Sequence, residues 1–283
     1  MRSKTIFSCK QASPTIFLFV CLIILSSTIV LAEEYTFGVV PQFETHQLHA
    51  IWKPVLEELT SSTGHTFKLL GSQNIPTFEK SVAQGEYDFI YSNPWHAVVA
   101  WEEQGYIPII RDSSRDLTGI LVVQKNGAIR TIRDLKNTEI AFPAPNALGA
   151  SLLMRSELKR IHDIDIHPVY VGSHSSVFLN VVVGSIRAGG AVMSIFLEQP
   201  KEIRDRLIVL HETRAISPHP ISAHPRVPSS VVADVSLALQ HMNTDHQKKR
   251  LIEQIPMYQA GPASLDEYLI LKDWGVDDFY VKP

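Results

Sequence analysis

Short apolar runs along this chain alternate between a strand-like and a helix-like spacing. Residues 35–40 form a run suited to a buried strand. Leu48, Ile51, Trp52, Val55, Leu56 and Leu59 then repeat at the three- and four-residue intervals of one helix face, closed by Gly64. Pro54, inside this stretch, is expected to kink the helix or mark a second start. A strand at 66–70, a short helix with Phe78 and Val82 inward and Gly85 as its stop, a strand at 87–91 and a helix at 94–104 before Gly105 complete a first α/β series. The polar, unpatterned run 111–116 reads as a crossing. A second series comes next, with strands at 119–123, 139–142, 167–171 and 188–192 and helices at 148–161, 175–183 and 194–206. Residues 207–212 read as a return strand. Beyond the proline-rich stretch 217–228, helices at 229–242, 246–255 and 265–273 are expected to pack back on the first series.

The first 32 residues obey a different rule. Arg2, Lys4 and Lys10 precede an apolar run from Ile16 to Ala32 that only Ser26, Ser27 and Thr28 interrupt, and Val30 and Ala32 hold the small-residue positions before Glu33. This is the layout of a secretory leader cleaved after residue 32. Retention as a membrane anchor is the alternative, against which stands an apolar run shorter than a comfortable span. Lipid attachment at Cys21 is opposed by the bulk of Val20 and by the apolar run beyond it. Both cysteines, Cys9 and Cys21, lie in the leader, so the exported domain has no disulfide, thiolate metal site or cysteine nucleophile. Three of the 26 basic residues and none of the 29 acidic ones lie there too, which leaves the rest with a formal charge of −6 and opposes nucleic-acid binding. The length after the leader suits two compact lobes. The expected organisation is lobe 1 at 33–114, lobe 2 at 115–206, and a hinge return with the remainder of lobe 1 at 207–283.

Candidate chemistry gathers where strands run into polar helix starts. Gln42, Tyr91, Ser92 and Asn93 lie at such junctions in the first series, and Asn146, His174, Ser175 and Ser176 in the second. They are predominantly neutral donors, able to hold an oxyanion by directed hydrogen bonds where helix N-termini converge. Each is singly an ordinary cap or turn residue, and their joint placement carries the weight. His174 stands at a helix start, where an imidazole donates to an anion or is kept neutral by the dipole. His46 and His49 share an i,i+3 spacing with no third metal ligand nearby, so they read as a solvated face. Phe43, Trp52 and Trp95 suit either a cleft lining or the core. No Gly-x-Ser-x-Gly elbow, phosphate-cradling glycine loop or His-Glu-x-x-His motif is present, and no catalytic residue, metal or cofactor is expected.

Phe37-Gly-Val-Val40 with Trp52-Lys-Pro54, Gly85-Glu-Tyr-Asp-Phe-Ile-Tyr-Ser-Asn93, Pro145-Asn146 and Gly172-Ser-His174, in this order after a leader, give a chain that resembles the PhnD-like phosphate, phosphite and phosphonate binding proteins of ABC transporters. The resemblance implies a type II periplasmic binding protein fold, two α/β lobes joined by a two-strand hinge, closing on a small anionic solute that an inner-membrane permease then receives. It places ligand contacts at Gln42 and Phe43, at Tyr91, Ser92 and Asn93, at Asn146, Ala147, Leu148 and Gly149, and at His174. There are two departures. Phosphonate binders show Ser-Thr-Ser-Gly where this chain has Ala147-Leu148-Gly149-Ala150, and relatives often place an Asp where it has Arg187 before Ala188-Gly189-Gly190. Each lost hydroxyl donor costs on the order of 1 kcal/mol of phosphonate affinity. The ligand therefore stays open between a phosphorus oxyanion and a different or less charged molecule. Arg187 would compensate only if it faced the cleft, and a solvated position suits it better. Gly189 and Gly190 permit close approach of a ligand or of a packed helix. A receptor for a membrane sensor kinase and an enzyme on the same fold are the alternatives.

Overall fold

The computed structural model describes residues 33–43 and 45–282, and the expected leader lies outside them. In chain order, the first elements are β1 (Glu34–Val39), α1 (Thr45–Thr63), β2 (Thr66–Leu70), α2 (Ile75–Ala83), β3 (Phe89–Tyr91), α3 (Pro94–Gln104) and β4 (Ile107–Asp112). Next come β5 (Gly119–Gln124), β6 (Glu139–Phe142), a π-helical turn (Leu148–Leu153) that runs into α4 (Met154–Arg160), β7 (His167–Tyr170) and α5 (His174–Val183). They continue with β8 (Ala188–Val192), α6 (Met193–Leu197), α7 (Lys201–Arg204) and β9 (Leu207–Glu212). The chain then forms β10 (Ile221–Ala223), α8 (Ser229–His241), α9 (His246–Gln254), β11 (Ala260–Pro262) and α10 (Asp266–Asp273).

The strands make two sheets, ordered β11-β4-β10-β3-β1-β2 and β7-β6-β8-β5-β9. In the first, β1 pairs in parallel with β2 and β3, and β10 lies antiparallel between β3 and β4. In the second, β6 is parallel to β7 and β8, while β5 runs antiparallel to β8 and β9. Parallel strands are covered on both faces, which explains why Phe37, Val39, Phe89 and Ile90 are all buried with no polar alternation. Each sheet with its helices is one lobe. The chain crosses from the first to the second between β4 and β5 and returns between β9 and β10. The two crossings pair with each other: Leu117 N donates to Ile216 O at 2.8 Å and Ile216 N to Leu117 O at 3.1 Å. This is the two-strand hinge.

The structure departs from the sequence expectations at identifiable places. Arg111 and Asp112 belong to β4, so the crossing starts later than the polar run suggested. There Asp112 accepts from Ser114 N and Tyr258 N, a use of polar residues that hydrophobic patterning does not see. The proline-rich stretch contains β10, an interior strand whose three residues between prolines and polar residues are too few to show a period. The single helix expected at 194–206 is two, broken at Pro200, which lies at φ −51° and ψ 145°. The one expected at 148–161 opens as a π-turn. Pro54 marks no second start, because α1 runs through it as one element. Gly189 and Gly190 serve packing: a Cβ at Gly190 would lie 2.2 Å from Ala150 O, and one at Gly189 would lie 2.4 Å from Val177 Cγ1. They let the π-turn and α5 rest directly on β8.

Lobe 1 has one large core, in which Trp52, Val55 and Leu59 of α1 pack on Phe37 and Phe89, with Val235 and Leu239 of α8 closing it. A separate apolar cluster joins the lobes. It takes Trp95 and Val98 from α3, Leu148, Leu152 and Leu153 from the π-turn, Ile216 from the hinge, and Tyr268, Leu271 and Val276 from the C-terminal part. Polar ties line its edge: Ser156 Oγ donates to Trp274 O at 2.5 Å, Arg155 Nη1 to Phe279 O at 3.3 Å, and Arg160 pairs with Asp278. Leu152→Ala is expected to lower stability by about 2–5 kcal/mol, since it opens a cavity in a fully buried seam. Urea denaturation of the two proteins side by side measures the loss.

Candidate ligand-binding site

The cleft between the lobes is lined by residues just beyond the carboxyl ends of β1, β6, β7 and β8, together with both crossings, the location that open α/β sheets reserve for ligands. Two cavities occupy it. The smaller, of about 90 Å³, is bounded by Pro41, Gln42 and Asn93 on one side and by residues 147–150, Ser173 and His174 on the other. The larger, of about 220 Å³, adjoins it and is lined by Phe43, Tyr91, Arg115, Thr118, Met193, Ser194 and Pro218 among others. Gln42 and His219 are the polar residues that border both.

Backbone donors converge on the smaller cavity from two helix starts. The first intrahelical bond of the π-turn runs from Ser151 N to Ala147 O at 2.7 Å, so the N–H groups of Leu148, Gly149 and Ala150 precede it. In α5, Ser173 Oγ caps Ser176 N at 3.1 Å, and the N–H groups of His174 and Ser175 come before the first bonded turn. The aligned peptide dipoles favour negative charge at both ends. His174 Nδ1 is shut off from solvent without a partner, and burial pulls this imidazole down to about 4. His219 sits opposite. Gln42 Nε2 donates to His219 Nε2 at 2.8 Å, and the Tyr91 ring stacks on the imidazole with centroids 5.5 Å apart. Burial pulls His219 down to about 3, helped by the positive fields of His96, His174 and Arg115.

The structure brings together Gln42, Phe43, Tyr91, Asn93, Ala147, Leu148, Gly149 and His174 along this cleft. Four expected residues lie apart from the cavities. Ser92 is fully buried beneath the surface, with its N–H on Pro220 O. Asn146 is turned away into the seam, where its Nδ2 donates to Val281 O at 2.7 Å and to Glu79 Oε1 at 2.8 Å and its Oδ1 accepts from Val281 N at 3.0 Å. Ser175 is exposed, and Ser176 Oγ is paired with Ser173 Oγ at 2.9 Å. Within the cleft, Asn93 works as a helix cap whose Oδ1 accepts from His96 N, and Tyr91 spends its hydroxyl on Ile255 O. Trp52 and Trp95 are core residues. Arg187 is exposed, and His46 and His49 lie on an exposed face. Among the described residues no group of three His, Cys, Asp or Glu side chains is placed to hold a metal.

Sequence reasoning missed Ser173, Arg115, Thr118, residues 192–195 and above all His219. The available signal was Pro218-His219-Pro220, a histidine held between two prolines, inside a stretch read as a connection. The nearest cation is already engaged: Arg115 donates to Asp112 Oδ2 at 3.1 Å and to Pro256 O at 3.0 Å and lies over the Tyr258 ring. Asp116 and Glu198 line the outer part of the larger cavity and are exposed. Among the described residues, the inner cleft therefore offers dipoles and neutral imidazoles, with no uncommitted charge.

The fold and cleft define a two-lobed solute-binding protein of the type II periplasmic class. The model of the periplasmic substrate-binding proteins of phosphonate ABC transporters matches residues 37–268, and the chain belongs to that family. This is a family of transport binding proteins and not of enzymes. No curated protein matches the sequence significantly. Among solved structures, PhnD1 from Prochlorococcus marinus in complex with methylphosphonate is similar at a TM-score of 0.77 and 15% identity, over 87% of this chain and 98% of that one. A binding-protein component of an ABC phosphonate transporter from Pseudomonas aeruginosa gives 0.74 and 14%, over 86% of each chain. A Xanthomonas citri protein bound to ATP gives 0.74 and 14%, over 88% of this chain and 100% of that one. At such identities the likeness is one of fold.

Both cleft histidines bind protons more weakly in the folded protein than the ordinary 6.5. The unfolded chain therefore takes up their protons first as pH falls, and each imidazole removes stability below about pH 6.5, by up to about 1.4 kcal/mol per pH unit. His219→Gln is expected to flatten the decline in stability of the unliganded protein between pH 6.5 and 4.5. Denaturant titrations at a series of pH values test this.

Proposed function

We propose that this protein captures a phosphorus oxyanion of the phosphonate class, with phosphite and phosphate in the same chemical range, in the interlobe cleft and passes it to an inner-membrane permease. The observation that carries this reading is the convergence of two sets of helix N-terminal N–H groups and His174 on the smaller cavity. Such donors suit three oxygens carrying a delocalised charge. The larger cavity supports a ligand whose phosphorus bears a substituent, because it adjoins the smaller one and shares Gln42, Leu117, Val192, Ile195 and His219 with its lining. Hydroxyl donors are absent at residues 147–150, so backbone donors take their share. The basic and apolar leader supports export to the periplasm with cleavage before Glu33. Family membership supports a membrane permease as the partner, received by a surface that both lobes form when the cleft closes.

A thermal-shift series with phosphate, phosphite, methylphosphonate, aminoethylphosphonate, sulfate and small carboxylates tests the reading. A ligand at one hundred times its Kd adds about 2.7 kcal/mol of stability, which for a chain of this size raises Tm by about 5–10 °C. The expected result is a selective rise with a phosphorus oxyanion that is lost in His174→Ala. A rise with sulfate or a carboxylate, and none with any phosphorus compound, would overturn it.

A further inference from the structure

His219 occupies a position that the residues around it explain only in part. It comes from the return crossing, three residues after the hinge pair, and it borders both cavities. Its ring is fixed on two sides, by the stacked Tyr91 ring and by Gln42. The Gln42 amide nitrogen is a donor only, so His219 Nε2 must accept, and the ring proton of the neutral imidazole is on Nδ1. Among the described residues Nδ1–H has no hydrogen-bond acceptor. Across the smaller cavity, His174 also has an Nδ1 without a partner. A ring held this firmly, with Nδ1 free of any acceptor among the described residues and bordering a cavity lined by helix N-termini, is placed to meet an acceptor in that cavity.

We propose that His219 is a second ligand-contacting imidazole of this cleft, donating from Nδ1 to the bound oxyanion, and that the His174–His219 pair takes up a proton on binding in place of a fixed cation. The inference rests on the cleft being the oxyanion site. The charged and titratable groups facing His219 are the His96 ring of α3, paired with Glu79 of α2, His174 of α5, Tyr91 of β3, and Arg115 with its partner Asp112. Asp116 and Glu198 stand at the outer cavity. None of these places an unshared positive charge in the inner cleft. An entering anion is therefore the strongest influence on the two rings, and it raises their affinity for protons. Binding strengthens as pH falls, a direction that a site built on arginine or lysine would not share. The balance is simple: one proton passes from solvent to an imidazole, and no bond in the ligand changes.

Isothermal titration of the purified protein with methylphosphonate at pH 6.0, in buffers of different ionisation enthalpy, counts the protons exchanged. The ligand's own titration is common to all variants, so the difference between wild type and His219→Asn isolates the protein's part. The expected result is a Kd raised about tenfold or more in His219→Asn and a proton uptake smaller by about half a proton or more. A wild-type protein that binds methylphosphonate with a Kd and proton count matched by His219→Asn would overturn this inference and leave the proposed function standing. No binding of any phosphorus oxyanion by the wild type would overturn both. In case the variant folds poorly, nitrogen-15 spectra of the wild-type imidazoles give a second readout. A large shift of the His219 Nδ1 resonance on saturation is expected, and an unmoved resonance would overturn the assignment.

Discussion

Two backbone hydrogen bonds between Leu117 and Ile216 determine most of what the cleft can be. They hold two crossing segments from opposite parts of the chain side by side, so that both emerge at the mouth of the cleft. Arg115 and Thr118 lie within two residues of one partner, and Pro218 and His219 come closely after the other. A slip of one residue in this pairing would turn alternate side chains to the opposite face and take Leu117 off the cavity wall. The ladder is only one residue pair long, so its register depends on its flanks: Thr213 Oγ1 accepting from Gly119 N on one side, and β10 wedged between β3 and β4 on the other. The hinge is short because its surroundings specify it.

A second constraint is electrical. Burial holds the His174 and His219 imidazoles below their ordinary proton affinity, and a charge placed permanently beside them would need a partner in the protein. Peptide dipoles and neutral imidazoles avoid that difficulty. They need no counter-charge in the protein, and they suit the oxyanion proposed above. Arg115, the one Lys or Arg among the described residues that line the two cavities, shows the alternative, for it is committed to Asp112, to a carbonyl and to the Tyr258 ring.

Much of this architecture was legible in the sequence, for reasons that differ from element to element. The apolar face of α1 and the uniformly buried strands result from periodicity, and the caps at Asn93 and Ser173 from side-chain chemistry. The hidden parts depended on tertiary context. β10 and β11 are three residues each and take their identity from neighbours in the sheet. Asn146 looked like Asn93, a polar residue ahead of a helix, yet its amide is consumed by Val281 and Glu79, more than a hundred and more than sixty residues away in sequence respectively. His219 escaped because proline-rich composition signals irregular backbone and says nothing of which irregular residue faces a cavity. Glycines 189 and 190 were ambiguous between ligand and helix, and the Ala150 carbonyl decides for the helix.

The ties between residues 274–281 and lobe 2 also govern the order in which the molecule can be completed. Lobe 2 occupies the middle of the chain, but part of its surface is finished by Trp274, Phe279 and Val281, which pack on or bond to α4, Arg214 and Asn146. A chain made from its N-terminus therefore exposes the Leu148, Leu152 and Leu153 face until those residues have emerged. Contacts so distant in sequence form late and slow the search for the native state. The segment that locks the lobes together thus follows, in chain order, the elements of both lobes that it joins.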